Sequence, residues 1–372
     1  MNSADRRTEL FDLYARPGPS ATVYLDATRA TENGAREVDR RWAGLRSRLE
    51  DAGADTPTLD ALAAAVAADT GTPGRHGLVL VAAEGQTRFQ AVLHQAPARS
   101  SASWSPLPHL LPYLAQQVTD LAHLVVVADR TGADILAVGP GGAHEHTVTG
   151  GAQHPLHRTA ADVWNERHFQ HRVENAWEAN ADDVADAVGK QLANGPAKLV
   201  IIAGDVRARS MIADALGEPP GVTVRIVEEG GRADGSSDQA LQAAVHDAVL
   251  QQLWRDRREV LEHLQQNLGR HEYAAAGVRP VVEALRMAQV DTLVISDDPS
   301  SPLTAWVGPN PTDCGLDEDE AAALGVANPR RDRLDAALVR AAIGTNARIV
   351  VTPGGHGYLP EGIGALLRFD TT

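Results

Sequence analysis

The chain has 372 residues, of which 43% are hydrophobic, and a formal net charge of -15. This length predicts two or three domains, and the charge argues against a general nucleic-acid binder, whose surface is usually basic overall. No apolar run reaches the roughly 18 residues that a membrane span needs, and the lone cysteine, Cys314, excludes an internal disulfide framework. We therefore expect a cytoplasmic protein without membrane contact.

The first segment, residues 1–118, has the pattern of a small α/β domain. A buried strand is predicted at Ala21–Ala27, and apolar side chains at helical spacing predict a helix over Ala35–Ala54. A second helix and a two-stranded hairpin follow. A Ser/Pro-rich stretch at residues 96–112 interrupts the pattern and marks a candidate domain boundary.

The middle segment, residues 119–272, alternates strands and helices. Two apolar strands are predicted within His123–Gly139, and a shorter strand follows at residues 145–150. A long helix is predicted from Thr159 to about Leu192, and another from about Ser237 to Leu268. This alternation predicts a mixed α/β layer domain.

The last segment, residues 273–372, repeats this style. A helix is predicted over Ala275–Val290, and the strand "DTLVISDD" follows it directly. The acidic stretch Thr312–Gly325 is predicted to be a solvated insertion. Its acidic residues should raise the pKa of the Cys314 thiol, so we do not expect a reactive nucleophile there.

The histidines are unevenly distributed, because six of the 14 lie within residues 144–171. A metal site would draw on two histidines of the long helix, one of the preceding loop and a carboxylate, namely His168, His171, His154 or His157, and Glu166. The same region also suits contacts to RNA phosphates and bases, or a solvated helix end. No known metal-ligand spacing is matched, so we assign no metal ligands and no cofactor.

Arginines are concentrated on the first predicted helix. Those that point away from its apolar face, formed by Trp42, Leu45 and Leu49, are candidates for contact with RNA phosphate. A salt-bridged, solvent-exposed helix explains the same pattern, so both interpretations stay open. The candidate residues are Arg36, Arg40, Arg41 and Arg48.

The last segment carries a family resemblance. The stretch "GVRPVVEALRMAQVDTLVISDD" and the later "ARIVVTPGGHGYLPEGIGALLRFD" resemble the start and end of the third domain of archaeal and eukaryotic class-one release factors and Pelota. "HLVVVADRTGADILAVG" and the long helix after it resemble the middle domain of that family. The resemblance implies a three-domain, release-factor-like α/β architecture of mixed-sheet domains, with boundaries at 1–118, 119–272 and 273–372 and the first domain facing the decoding site.

The stretch "GGAQHPLHR" lies where a release factor carries Gly-Gly-Gln. Here Gly150 and Gly151 are separated from Gln153 by Ala152, so the glutamine is out of register and we assign no catalytic residue. The stop-codon-reading motifs of the family are absent as well. Two enzymatic functions stay open as alternatives. One is a ribosome-rescue peptidyl-tRNA hydrolase that acts through Gly150–Gln153, and the other is a metal-dependent enzyme built on the histidine cluster.

The resemblance is greatest to the bacterial Balon-like branch of ribosome hibernation factors. It implies a protein without peptide release activity that occupies the A site of idle 70S ribosomes and contacts 16S and 23S rRNA, with elongation factor Tu and GDP as a candidate partner. The implied RNA contacts are the helix arginines and the residues of the loop and the long helix: Arg36, Arg40, Arg41, Arg48, Gly150, Gly151, Gln153, His154, His157, Arg158, Arg167, His168, His171 and Arg172.

Overall fold

We describe the fold from a computed structural model of the whole chain. For residues 163–176 the description is limited to the helical backbone. The described residues are 3–15, 18–29, 34–69, 75–93, 95–116, 121–129, 131–139, 142–149, 163–230, 238–354 and 359–369.

The chain divides into two compact units. One contains residues 1–6 and 118–256, and the other contains residues 7–117 and 257–372. The second unit thus joins the first and last segments of the sequence, which share one hydrophobic core. The three domains expected from the sequence stay a prediction, since a shared core does not test whether the two segments fold separately.

The first segment is built on an antiparallel sheet. Its elements are α1 (Ser3–Ala15), β1 (Ser20–Asp26), α2 (Gly34–Asp51), α3 (Thr56–Ala68), β2 (Gly77–Ala83), β3 (Gln86–Leu93), β4 (Ser101–Ser105) and α4 (Leu111–Ala115). The strand order is β3-β2-β1-β4. The buried strand, the two helices and the hairpin predicted from the sequence are confirmed, and α2 buries Trp42, Leu45 and Leu49 as expected.

The Ser/Pro-rich stretch at residues 96–112 does not end the first sheet. It contains β4, which pairs with β1 and packs Ala102 and Trp104 against the core of the sheet. The stretch therefore belongs to the first segment, and the domain boundary expected after it, at residue 118, stays a prediction. Helix α1 had no sequence prediction, and it buries Leu13 and Tyr14.

The middle segment is a mixed α/β layer structure, as predicted. Its elements are β5 (His123–Asp129), β6 (Gly132–Gly139), β7 (Gly142–Thr149), α5 (Val163–Asn194), β8 (Leu199–Gly204), α6 (Val206–Leu216), β9 (Thr223–Ile226) and α7 (Asp238–Arg270). The sheet order is β7-β6-β5-β8-β9, with β5, β8 and β9 parallel. One face packs on α5 and α6, and Ala248 and Val249 of α7 pack on the other.

The last segment contains two small sheets. Its elements are β10 (Ala274–Ala276), α8 (Val278–Arg286), β11 (Val290–Asp297), β12 (Thr304–Val307), β13 (Cys314–Gly315), α9 (Glu318–Ala323), β14 (Arg330–Arg333), α10 (Leu334–Gly344), β15 (Arg348–Pro353) and β16 (Ile363–Leu367). The strand orders are β10-β16-β11-β15 and β13-β12-β14. The α/β class predicted from the sequence is confirmed, and among the described helices none is long and apolar enough to cross a membrane.

Two expectations for this segment were wrong. The helix predicted over Ala275–Val290 begins at Val278, because Gly277 has a φ of 84° and the residues before it pair with β16. The stretch Thr312–Gly325 is only partly solvated, since it contains β13 and α9 and leaves Cys314 3% exposed. Its few apolar side chains pack into the core of the unit, and that burial outweighs the acidic composition.

Buried polar contacts join the first and last segments within the second unit. One Asp332 carboxylate oxygen accepts the Leu107 N–H at 2.7 Å, and the other lies 2.9 Å from His109 Nε2. Arg340, 1% exposed, donates to the Tyr14 carbonyl at 3.3 Å, and burial lowers the pKa of this arginine. Residues more than 200 positions apart in sequence are therefore held by directional bonds as well as by apolar packing.

The Asp332 contacts give a stability prediction. Asp332→Ala leaves a buried backbone N–H without its acceptor, so we expect a loss of about 1–3 kcal/mol of unfolding free energy in urea denaturation. Asp319→Ala, at an exposed position of α9, is the matched control and should change it by less than about 0.5 kcal/mol. Equal effects of the two substitutions would show that the Asp332 contacts do not stabilise this unit.

The buried thiol gives a second prediction. Burial, with a smaller contribution from Glu320, raises the pKa of Cys314 from 9.0 to about 11. The contribution of the buried, neutral thiol to the free energy of unfolding is therefore fully present below pH 9. It is lost as pH rises from 9 to 11. At pH 8 a thiol reagent should label the native protein roughly 100-fold more slowly than the urea-unfolded chain, whereas equal rates would contradict the burial of Cys314.

Candidate nucleic-acid interface

Helix α5 is longer than the sheet on which it packs. Thr149, the last residue of β7, pairs with Gly132 at the edge of the sheet where β5 ends. Gly132, Trp177 and Asn180 line one small cleft, so α5 passes this edge near Trp177. The helix begins at Val163, roughly 14 residues or about 21 Å of helix earlier.

The part of α5 that follows Trp177 attaches it to the sheet. Ala181, Val184 and Val188 are buried against β5, β6 and β8. The segment between the end of β7 and the start of α5 therefore connects the sheet edge to a helix end that lies about 21 Å beyond it.

The predicted loop residues and helix residues stay predictions. Gly150, Gly151, Gln153, His154, His157 and Arg158 lie outside the described residues. The remaining four are positions of the α5 backbone whose side chains also lie outside the description. Helical spacing puts these four positions within an arc of about 140° on one side of the helix: Arg167, His168, His171 and Arg172.

The turns at this sheet edge are held by two aspartates. Asp129 Oδ1 accepts the Thr131 N–H at 2.7 Å, and Asp205 Oδ1 accepts the Arg207 N–H at 3.0 Å. Both carboxylates thus serve as backbone caps, Asp205 at the start of α6. Sequence reasoning missed both residues, although an aspartate that follows an apolar strand is a recognisable turn or cap signal.

The same edge carries a stacked pair of side chains. The Arg207 guanidinium carbon lies 4.6 Å from the centroid of the Trp177 ring, within the range of a cation–π contact. Arg207 is exposed and Trp177 is half-buried. The pair joins α5 to α6 at the level where α5 leaves the sheet.

Three of the four predicted arginines of α2 form an exposed row. Arg36, Arg40 and Arg48 are exposed, and no ion pair involves them within the described part of the chain. Gly44 lies between them in the row, and a side chain added there would meet nothing within 4 Å. We call Arg36, Arg40, Gly44 and Arg48 the arginine row. Such a row can approach an RNA backbone closely.

Arg41 has a different environment from the arginine row. It is half-buried, donates to the Asp26 carbonyl at 3.0 Å and lies 3.4 Å from the Glu37 carboxylate. Burial raises the pKa of Asp26, but hydrogen bonds from Thr28 and the charges of Arg41 and Arg75 outweigh it and lower that pKa. Arg41 therefore anchors α2 to the end of β1.

Two further arginines lie at this end of the first sheet. Arg75 is exposed and close enough to Asp26 to affect its pKa, and Arg29 lies 3.9 Å from Asp69. The N-terminus of α2 is adjacent, because a side chain on Gly34 would meet the Arg29 backbone at 2.6 Å. Neither residue is predicted from the sequence as part of a site, since neither belongs to a periodic pattern.

Comparison with known proteins identifies the class of the middle segment. Residues 122–270 match the model of bacterial archaeo-eukaryotic release factor family 2. The segment that carries α5 and the sheet edge is thus release-factor-like, and the resemblance to release factors stated for this segment is confirmed. The chain is also 27% identical over 362 residues to the uncharacterized protein Rv2629 of Mycobacterium tuberculosis strain H37Rv, covering 97% of this chain and 96% of that protein.

Two solved structures align with nearly the whole chain. Archaeoglobus fulgidus Pelota is 14% identical, with 98% of this chain and 92% of that chain covered and a TM-score of 0.38. Archaeal Pelota in a model of its ribosome-bound form with ABCE1 is 14% identical, with coverages of 99% and 94% and a TM-score of 0.41. Overall similarity at this level carries no argument about the arrangement of the domains.

Two glycines test the geometry of the sheet edge and of α5. Gly204 has a φ of 110°, and a Cβ there would lie 1.9 Å from the Ala128 carbonyl oxygen, so Gly204→Ala should cost more than about 2 kcal/mol of unfolding free energy. Gly189 lies within α5 with nothing within 4 Å of its Cβ position, so Gly189→Ala should stabilise by about 0.5–1 kcal/mol. Urea denaturation measures both, and a destabilising Gly189→Ala would contradict the helical environment assigned to it.

Proposed function

We propose that this protein is a non-enzymatic translation factor that occupies the A site of idle 70S ribosomes and protects them. The observation that supports the proposal is the length of α5, which begins at Val163, about 21 Å of helix before it reaches the sheet edge. This helix lies in the segment that matches the release-factor family. A long helix that supports a polar loop suits insertion into a narrow RNA-lined site.

Contacts with ribosomal RNA would be local in a chain of net charge -15. The arginine row supplies three exposed cations along roughly 18 Å of α2 and suits 16S rRNA phosphate. The loop Gly150–Arg158, with Arg167, His168, His171 and Arg172 of α5, would contact 23S rRNA. Acidic surfaces elsewhere would be repelled by RNA, which favours binding through these patches alone.

The proposal includes no peptide release. Release by a Gly-Gly-Gln loop depends on the position of the glutamine, and Ala152 displaces Gln153 by one residue. The competing function is a peptidyl-tRNA hydrolase acting through Gly150–Gln153. Incubation with ribosomes that carry peptidyl-tRNA separates the two, because a hydrolase would cleave the ester in a single turnover and lose this activity on Gln153→Ala.

Co-sedimentation with vacant 70S ribosomes tests the proposal directly. The wild-type chain should pellet stoichiometrically, and a variant with Gly150–Arg158 replaced by a Gly/Ser segment of equal length should pellet less. Parallel samples with elongation factor Tu and GDP determine whether that GTPase increases binding. An absence of pelleting in every nucleotide condition would contradict ribosome binding.

The arginine row gives a quantitative prediction. Arg36→Gln, Arg40→Gln and Arg48→Gln together should weaken 70S binding roughly tenfold, because three exposed charge contacts are lost. The slope of log affinity against log salt concentration should fall by about three. The matched control changes three exposed arginines elsewhere, Arg99, Arg258 and Arg348, to Gln. If both variants lose the same amount of 70S affinity, the loss reflects the change in net charge alone, and a specific contact of the arginine row is excluded.

A further inference from the structure

A pocket of about 400 Å³ lies between the first and last segments within the second compact unit. Its walls come from the end of β12 and the turn that follows, from the start of β14 and the turn before it, and from the residues after β4. Its described lining contains two arginines, several apolar side chains and no acidic residue. A pocket of this size suits a small molecule or one end of a peptide.

Arg340 supplies a buried positive charge to this pocket. It is 1% exposed, and its guanidinium donates to the carbonyls of Tyr14 at 3.3 Å, Gly308 at 2.7 Å and Pro309. Carbonyl oxygens satisfy these donors but carry no net charge, and no carboxylate in the described part of the chain forms an ion pair with Arg340. A buried charge without a counterion attracts an anion placed nearby, because screening by water is weak there.

Arg330 adds an exposed positive charge to the same lining. It begins β14 opposite Val307, and none of the described residues forms an ion pair or hydrogen bond with its side chain. Arg331, the next residue of the strand, points to the opposite face and donates to Thr304 Oγ1 at 3.1 Å. Asn328 also lines the pocket and has a φ of 52°. The lining thus offers two guanidinium groups and one amide as donors.

Two aspartates lie near the pocket without lining it, and both have hydrogen bonds of their own. Asp313 acts on the charge of Arg340, and it accepts the Asn310 N–H at 2.8 Å. Asp332 accepts the Leu107 N–H at 2.7 Å. Their repulsion acts twice as strongly on a doubly charged phosphate as on a carboxylate. The charges therefore favour a ligand with a single carboxylate, and the apolar lining favours an apolar body attached to it.

We propose that this pocket binds a ligand that presents one carboxylate on an apolar body. Arg330 and Asn328 donate hydrogen bonds to the carboxylate, Arg340 stabilises its charge, and Val307 and Pro309 contact the apolar body. The C-terminal residue of a peptide and a small carboxylic acid share this chemistry. The inference does not depend on the proposed function, because none of the residues proposed to contact ribosomal RNA lines the pocket.

Fluorescence anisotropy with the full chain tests the site. The probe is a fluorescein-labelled pentapeptide that ends in valine and leucine with a free carboxylate, and its control is the same peptide with a C-terminal amide. The amide should bind at least roughly tenfold more weakly, because the charged acceptor is lost. Unlabelled N-acetylleucine should displace the probe if a small carboxylic acid suffices, whereas displacement by the unlabelled peptide alone would assign the pocket to a peptide C-terminus.

Three substitutions separate a direct contact from a structural effect. Arg330→Gln should weaken binding of the carboxylate peptide roughly fivefold to thirtyfold. Arg331→Gln removes the same charge on the opposite face of β14 and should change affinity by less than about twofold. Asn328→Asp keeps the size of the side chain and a residue type that tolerates a positive φ, but it replaces the amide donor with a carboxylate and should abolish binding. Urea denaturation checks that each variant retains the fold.

Four outcomes would overturn the carboxylate site. They are equal affinity for the carboxylate and amide peptides, no binding of the peptide or of N-acetylleucine at millimolar concentration, equal losses in Arg330→Gln and Arg331→Gln, and stronger displacement by phenyl phosphate than by N-acetylleucine. If 70S pelleting persists in any of these cases, the ribosome-binding proposal stands by itself. Carboxylate binding without 70S pelleting would retain the pocket and contradict only the A-site proposal.

Discussion

The apolar contact between α5 and the five-stranded sheet is the interaction on which the candidate interface depends. Val184 and Val188 are 1% and 0% exposed and pack on side chains of the central strands β5 and β8. Among the described side chains, this burial attaches the part of the helix that follows the sheet edge. The helical backbone before Trp177 is the part that the proposed function assigns to contact with RNA.

The turns at the sheet edge stabilise the packing of α5 and α6 on the sheet. Gly204 lies so close to Ala128 that no side chain fits, and the Asp205 cap begins α6 immediately afterwards. The Arg207–Trp177 pair then joins α6 to α5 at the same level. Backbone constraint, helix capping and stacking thus all act within a few residues of the point where α5 leaves the sheet.

The second unit relies instead on buried directional contacts such as those of Asp332 and Arg340, whose loss would leave polar groups unsatisfied.

Much of this fold could be predicted from the sequence, because long periodic patterns define α2, the long helices and the central strands. Short elements such as β13 and β10 could not, since their few residues are stabilised by tertiary pairing rather than by local preference. The contact of Asp332 with His109 spans 223 positions and has no local signature. In the candidate site, the exposed arginines of α2 could be predicted from helical spacing. The different role of Arg41 could not, because its hydrogen bond to the Asp26 carbonyl depends on how α2 meets β1.

Competition for the A site tests the central claim most directly. Vacant 70S ribosomes would first be filled with deacylated tRNA in both the P and A sites, and binding of the labelled protein would be compared with ribosomes filled in the P site alone. Occupancy of the A site predicts that A-site tRNA displaces the protein and that saturating protein displaces the tRNA in turn. Simultaneous, stoichiometric binding of the protein and A-site tRNA would contradict it.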